Sequence, residues 1–394
     1  MLHVACNKMM VGMKRFFALL VLMALLASGC QSFVSQTPAR TSTQAIQTVV
    51  DPRTVTAPAA SSDSGYSNGI TIVEPTASAT PLLPTATFAP TSIPTLIPTP
   101  DPYAAYTIES LLGRSYGGGD LQVQETLATN SVFTRTLISY PSDGLKIYGF
   151  MDVPQPGRSK PPYPVVIALH GYIDPAIYNT IDYTTHYADS LVWAGYIVLH
   201  PNLRGYPPSD NGDDLFRVGM AVDVLNLITL VKEQAGQPGP LELADPQAIG
   251  LWGHSMGGGV VTRVLVVSPD VRAAVLYGAM SGDDRKNYER IFNYFSNQSR
   301  GVEELKTPSE AFDRISPINF LDRIQAAVSI NHGKNDVDVP LAWSLDLCQR
   351  LQSLGKSVEC FTYPGQSHTF HEAGDELFIQ RMVDFYNRML KRNN

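Results

Sequence analysis

The 394-residue chain predicts an α/β fold, a mostly parallel central sheet with helices on both faces. Three observations predict it. Short apolar runs of strand length alternate with helix-length segments from residue 164 onward, and such alternation builds parallel sheets covered on both sides. The stretch LWGHSMGGGV, residues 251–260, sets a serine in a glycine-lined turn between a strand and a helix. A segment bearing aspartates and then a segment bearing a histidine follow it, the chain order in which such a serine finds its acid and base.

The elements run as follows. Residues 132–140 and 145–153 read as strands joined by the hairpin turn Ser142-Asp143-Gly144. Residues 164–169 (PVVIAL) form an apolar run short enough for a buried strand. A helix at 183–194 and a strand at 196–200 follow, then a helix at 213–234 and a strand at 248–252. The helix at 256–267 leads to a strand at 271–277. The remainder reads as a strand at 326–331, a helix at 341–354, a strand at 357–363 and a closing helix at 375–391. Residues 281–317 break the alternation. They are polar but carry Tyr288, Phe292, Tyr294 and Phe295. Two readings stand: an insertion covering a site as a lid, or a surface helix packing its aromatics into the core.

The N-terminal third is different material. Lys14 and Arg15 precede an apolar run at 16–26, followed by Ala27-Ser28-Gly29-Cys30. A charged start, a short apolar core and small residues describe an export signal. The run is shorter than the roughly 20 residues of a spanning helix. Cys30 after small residues resembles a bacterial lipoprotein signal, which implies lipidation of Cys30, a membrane anchor and an extracytoplasmic protein. Met10 or Met13 would serve equally as the start. Residues 31–102 are dense in Thr, Ser, Pro and Ala and predict a disordered or semi-extended tether. The expected organisation is a signal at 1–30, a tether at 31–102 and a catalytic domain at 103–394.

The formal net charge is −7, and no Lys/Arg block exceeds Lys391-Arg392. That argues against nucleic acid as a partner. No metal-ligand cluster or cofactor motif is visible, so neither is expected. Oligomeric state is left open. Cys348 falls on a predicted helix and Cys360 on the following strand. A helix layer lies about 10 Å from its sheet, whereas bridged cysteines need Cα atoms within about 7 Å. Two buried free thiols are expected, although export permits disulfides.

Gly253-His254-Ser255-Met256-Gly257 fits G-x-S-x-G in the required setting, a strand-to-helix turn. The bend lifts the Ser255 hydroxyl above the sheet and puts the Met256 N–H at a helix N-terminus, where it can stabilise an oxyanion. A serine hydroxyl is a weak nucleophile and needs a base within hydrogen-bond reach. Three histidines follow Ser255: His332, His368 and His371. His368, just after the last strand, is the expected base, with His371 a nearby rival. Asp336 and Asp338, in the loop after His332, both qualify as the acid that orients the base. The loop His170-Gly171-Tyr172 after the first central strand offers the Tyr172 N–H as a second oxyanion donor, and the Tyr172 ring could line the acyl pocket.

Five stretches together resemble the catalytic domain of the prolyl oligopeptidase family, within the α/β-hydrolase superfamily. They are HGY at 170–172, NLRGYPPSD at 202–210, DPQAIGLWGHSMGGG at 245–259, HGKNDVDVP at 332–340 and YPGQSHTF at 363–370. The resemblance implies an α/β-hydrolase fold and a Ser255–His368–Asp336 triad; its HG-x-x-D-x-x-VP pattern assigns the acid to Asp336. Arg204 matches an Arg-Gly of the family and is expected to position a loop through hydrogen bonds. The family's peptidases usually carry a large β-propeller, for which the segment before the core leaves no room. The elbow GHSMGGG also looks like that of dienelactone-hydrolase-like esterases and cutinase-like polyester hydrolases. The expected function is therefore a serine hydrolase cleaving a peptide or a small ester. Carboxylesterase activity is the alternative, and a non-enzymatic binding lipoprotein is a remoter one.

Overall fold

In a computed structural model that describes residues 100–391 except Arg158, the apolar runs form nine strands. They are β1 (Gln122–Thr129), β2 (Phe133–Ser142), β3 (Leu145–Pro154), β4 (Tyr163–Leu169), β5 (Ile197–Pro201), β6 (Ala244–His254), β7 (Val271–Tyr277), β8 (Ala327–Gly333) and β9 (Val358–Tyr363). They pair in the order β1-β2-β3-β5-β4-β6-β7-β8-β9. The first three pairings are antiparallel and the other five parallel. The expected signal, the expected lipidation site Cys30 and most of the expected tether lie outside the described residues.

The helices are α1 (Ile108–Gly113), α2 (Thr185–Trp193), α3 (Val218–Gln234), α4 (Met256–Val267), α5 (Asp284–Arg290), α6 (Val302–Leu305), α7 (Ser309–Ile315), α8 (Leu341–Ser353) and α9 (Glu372–Leu390). Every residue of β4 is buried, as expected for a strand sandwiched between helix layers. One face of the sheet packs on α1, α3, α4 and α8 through residues such as Val224, Val260 and Leu347. The other packs on α2 and α9 through Leu191, Phe378 and Met382. No helix among the described residues is long and apolar enough to cross a membrane.

The structure departs from the sequence reading in four places. β1 was not expected: its QVQETLAT is exposed throughout and lies at the sheet edge, so no buried face writes an apolar pattern into it. The helix expected from residue 213 starts at Val218, because Phe216 and Arg217 both take left-handed conformations, each at φ 56°. Residues 281–317 follow the packing reading only in part. Tyr288 is buried edge-on against Phe216, 5.9 Å between ring centroids, while Tyr294 and Phe295 are exposed.

The expectation of free thiols at Cys348 and Cys360 is wrong. The two form a disulfide with Cα atoms 6.4 Å apart. The interlayer spacing refers to the helix axis, and Cα atoms lie about 2.3 Å off that axis. Cys348 is on the buried side of α8, facing β9, and that brings its Cα within bridging range.

Candidate active site

The glycines around Ser255 follow from steric need. A Cβ on Gly253 would lie 2.6 Å from the Gly257 carbonyl oxygen, and one on Gly257 would lie 2.5 Å from that of Leu169. The end of β6 therefore turns directly into α4, with Ser255 at φ 53°, ψ −116°. Such a conformation costs of order 1–3 kcal/mol and persists only when its surroundings fix it. They do. The Ser255 N–H donates to the Tyr277 carbonyl at 3.0 Å, and its own carbonyl accepts from Met280 at 2.9 Å and Gly258 at 3.1 Å.

The His170–Tyr172 loop lies beside this elbow. A Cβ on Gly171 would stand 3.1 Å from the Cβ of Ser255. Met256 is the first residue of α4, and its N–H belongs to the unpaired first turn. Among the described residues, neither the Met256 nor the Tyr172 N–H has a backbone hydrogen-bond partner outside the regular elements. Met256 thus adjoins Ser255 along the chain, and Gly171, the residue before Tyr172, packs against it.

Asp336, between β8 and α8, and His368, between β9 and α9, meet as expected. His368 Nδ1 lies 2.7 Å from Asp336 Oδ2. The other carboxylate oxygen accepts backbone N–H groups of Asp338 at 2.9 Å and Val339 at 2.8 Å. Burial alone would raise the carboxyl pKa, but bonds from His332, His368 and the Val339 amide hold it well below the usual range. An ionised Asp336 accepts, so His368 carries its hydrogen on Nδ1 and keeps the Nε2 lone pair free. The pair sits next to the elbow: a Cβ on Gly278, the residue after Tyr277, would lie 3.1 Å from His368 Nδ1.

The rivals are placed elsewhere. Asp338 does not contact His368 Nδ1; its backbone braces Asp336 and its carbonyl accepts from Arg290 at 3.0 Å. His371 is exposed at the start of α9, its N–H donating to Gln366. Side-chain atoms of Asp336, Asp338 and His368 do lie within 4.8 Å of one another, close enough to ligate a cation. Two of those groups are the acid–base pair itself, so a cation there would compete with it. Arg204 positions a loop: it holds Asp223 through Nε and Nη2 and the Asp213 carbonyl through Nη1.

Three supporting residues escaped sequence reasoning. His332 is buried with Nε2 3.1 Å from Asp336 Oδ2 and 3.0 Å from the Val339 carbonyl, while Nδ1 meets Ser344 Oγ at 2.7 Å. A carbonyl only accepts, so Nε2 carries the hydrogen and Nδ1 accepts from Ser344. His254, inside the G-x-S-x-G, places Nε2 3.1 Å from the His368 carbonyl, and its ring lies tilted against the His368 ring with centroids 4.6 Å apart. Its Nδ1 accepts from the Tyr183 hydroxyl. Burial, and then the neighbouring His368, pull its pKa down to about 3, so it stays neutral. Only the motif hinted at His254, and nothing in the sequence hinted at Tyr183.

A cavity of about 240 Å³ opens beside the elbow, lined by Tyr172, Tyr206, Met256, Tyr288, Arg217 and Arg300 among others. A larger hollow of about 460 Å³ beside α8 contains none of the site residues and is set aside.

The prolyl oligopeptidase family model matches residues 182–393, more than half of the chain and all of the segment carrying Ser255, Asp336 and His368. The chain belongs to the prolyl oligopeptidase family. Two Bacillus subtilis (strain 168) proteins are similar to it. The uncharacterized peptidase YuxL is 23% identical over 274 residues, covering 65% of this chain and 39% of that protein. The uncharacterized peptidase YtmA is 23% identical over 256 residues, covering 63% of this chain and 91% of that protein. The chain thus spans about two fifths of the length of the first relative. Among solved structures, a Mycobacterium tuberculosis puromycin-hydrolyzing peptidase superposes with a TM-score of 0.53 at 20% identity, covering 66% of this chain and 40% of the other. Acetyl xylan esterase 1 from Thermoanaerobacterium sp. JW/SL YS485 gives 0.53 at 19% identity, covering 73% and 95%. The fold that this prolyl oligopeptidase family member shares with both is that of the α/β-hydrolases.

Proposed function

We propose that this chain is a serine hydrolase that cleaves a peptide or ester bond through an acyl-enzyme, anchored outside the cytoplasm by a lipid at Cys30. The observation that carries the catalytic reading is the strained Ser255 beside a bonded Asp336–His368 pair. The anchor rests on the sequence at 14–30.

The Ser255 oxygen attacks the acyl carbonyl carbon while His368 Nε2 takes its proton. Asp336 keeps the imidazole oriented and stabilises the imidazolium. The Met256 and Tyr172 N–H groups donate to the oxyanion. As the intermediate collapses, the bond to the leaving group breaks and His368 returns the proton to it. Water, activated by the same histidine, then releases the acid and restores Ser255.

Family membership favours a peptidase. The small cavity beside Met256 favours a carboxylesterase for short acyl groups as the second reading, because about 240 Å³ is below the roughly 300–1,000 Å³ of common ligand sites. A paired assay of the full chain separates them: p-nitrophenyl esters of increasing chain length beside aminoacyl and N-acyl-aminoacyl anilides, with Ser255→Ala as control. Anilide cleavage lost in the control identifies a peptidase. Ester cleavage alone identifies an esterase, and no cleavage by a folded chain overturns both.

A further inference from the structure

The cavity beside Met256 carries a charge pattern that acyl transfer by itself does not require. It reaches both proposed oxyanion donors, Met256 and Tyr172, and so begins one residue past the nucleophile, while Ser255, Asp336 and His368 do not line it. His368 serves the departing group, so a cavity that reaches the oxyanion donors without reaching His368 belongs to the acyl half of a substrate.

Three arginines line it, Arg204, Arg217 and Arg300. Arg300 lies over the Tyr172 ring, 4.3 Å from its centroid, and Arg217 lies over the Tyr288 ring at 5.3 Å. Neither guanidinium is in an ion pair among the described residues. Their neighbours differ: Arg204 is committed to Asp223 and Arg263 to Asp284. Guanidinium groups laid on aromatic faces, with their donors free, match a planar carboxylate.

The backbone holds one of them in place by force. Phe216 and Arg217 are consecutive left-handed residues, neither of them glycine. The Phe216 carbonyl is held by Arg263 at 3.2 Å, and the Arg217 N–H by the Asp214 carbonyl at 2.9 Å. This reversal at the start of α3 leaves the Arg217 side chain in the cavity wall. Strain of this kind gathers where a site needs a side chain in one place.

Two acidic residues share the wall. Asp214 accepts the Met220 N–H at 2.8 Å, and burial pushes its pKa up to about 7, so at neutral pH it is only partly ionised. Glu304 is the remaining negative charge. The two guanidiniums therefore exceed the negative charge set against them.

We propose that this cavity binds the acyl part of the substrate, and that this part is short and carries a carboxylate held by Arg217 and Arg300. The proposal rests on the acyl-enzyme reading above. The shared chemistry admits two sources, a half-ester of a short dicarboxylic acid or a peptide with an acidic residue at the cleaved bond.

The test compares kcat/KM of the full chain on matched pairs. One pair is the mono-p-nitrophenyl ester of glutaric acid beside the neutral p-nitrophenyl pentanoate. The other is N-acetyl-glutamyl anilide beside its glutaminyl counterpart. The anionic member is expected to be preferred by about tenfold or more in at least one pair, which also names the source. Salt of about 1 M should shrink the preference, and Arg217→Met and Arg300→Met should each bring the ratio toward one. Arg300 is exposed, so its replacement tests the site without a folding penalty, and Arg217→Lys should keep part of the preference. Cleavage without preference, or preference for the neutral member, overturns this inference and leaves the acyl-enzyme reading standing. Failure to cleave any substrate, with no labelling of Ser255 by a fluorophosphonate, overturns that reading and this inference with it.

Discussion

His332 Nε2 lies 3.1 Å from Asp336 Oδ2, the same oxygen that His368 Nδ1 approaches at 2.7 Å. One carboxylate oxygen thus serves two imidazoles, and the second is tied through Ser344 to α8. His332 is a positioning residue: it touches the acid and not the site of bond cleavage. His332→Phe should lower kcat by about 10- to 100-fold, the value of a hydrogen bond to a charged group, with KM little changed. His332→Asn, which keeps a donor, should recover part of the loss. Equal losses in the two variants would show that only packing is involved.

The disulfide links the two elements that follow and precede the acid and the base. Cys348 is on α8, after Asp336, and Cys360 is on β9, before His368. Closing a loop of this length stabilises a chain by about 2–3 kcal/mol. Reduction, or Cys348→Ser with Cys360→Ser, should lower the unfolding free energy by about that amount in urea titrations. An unchanged midpoint would contradict it.

His254 makes stability depend on pH. Its folded value is about 3, below the roughly 6.5 of an unfolded histidine. Between these values the unfolded chain binds a proton that the folded chain does not. The stabilisation is fully present above about pH 6.5 and is lost as pH falls toward 3, by up to about 1.4 kcal/mol per pH unit. Unfolding measured at pH 7 and pH 5 should show a flatter dependence in His254→Gln than in the parent chain. Parallel lines would assign the acid sensitivity elsewhere.

Strain at Ser255 predicts a trade of activity for stability. Ser255→Gly removes the nucleophile and suits φ 53°. It should raise stability by about 1–2 kcal/mol while turnover disappears. Ser255→Ala, which keeps a Cβ, should lose turnover without that gain. A less stable glycine variant would refute the strain.

Much of this was legible before the fold was known. The helix at 256–267 and the strand at 271–277 coincide with α4 and β7, because the glycine-rich elbow opens the first, Ser268-Pro269-Asp270 separates the two and Gly278 closes the second. Asp336 and His368 came from a motif and from chain order, and their 2.7 Å contact follows from neither alone. What stayed hidden depends on contacts between distant residues. Tyr183 and His254 are 71 positions apart, and His254 and His368 are 114 apart. β1 carries no buried face to read, and the left-handed pair at Phe216 and Arg217 has no glycine to announce it. The disulfide was missed because layer spacing stood in for Cα spacing.

The central claim is that Ser255 forms the acyl-enzyme with His368 as base. The most direct test labels the full chain with a fluorophosphonate and maps the modified peptide by mass spectrometry. A single adduct on Ser255, absent in Ser255→Ala and slowed by at least about 100-fold in His368→Gln, is the predicted result. An adduct on another residue, or unchanged labelling in either variant, would contradict the account.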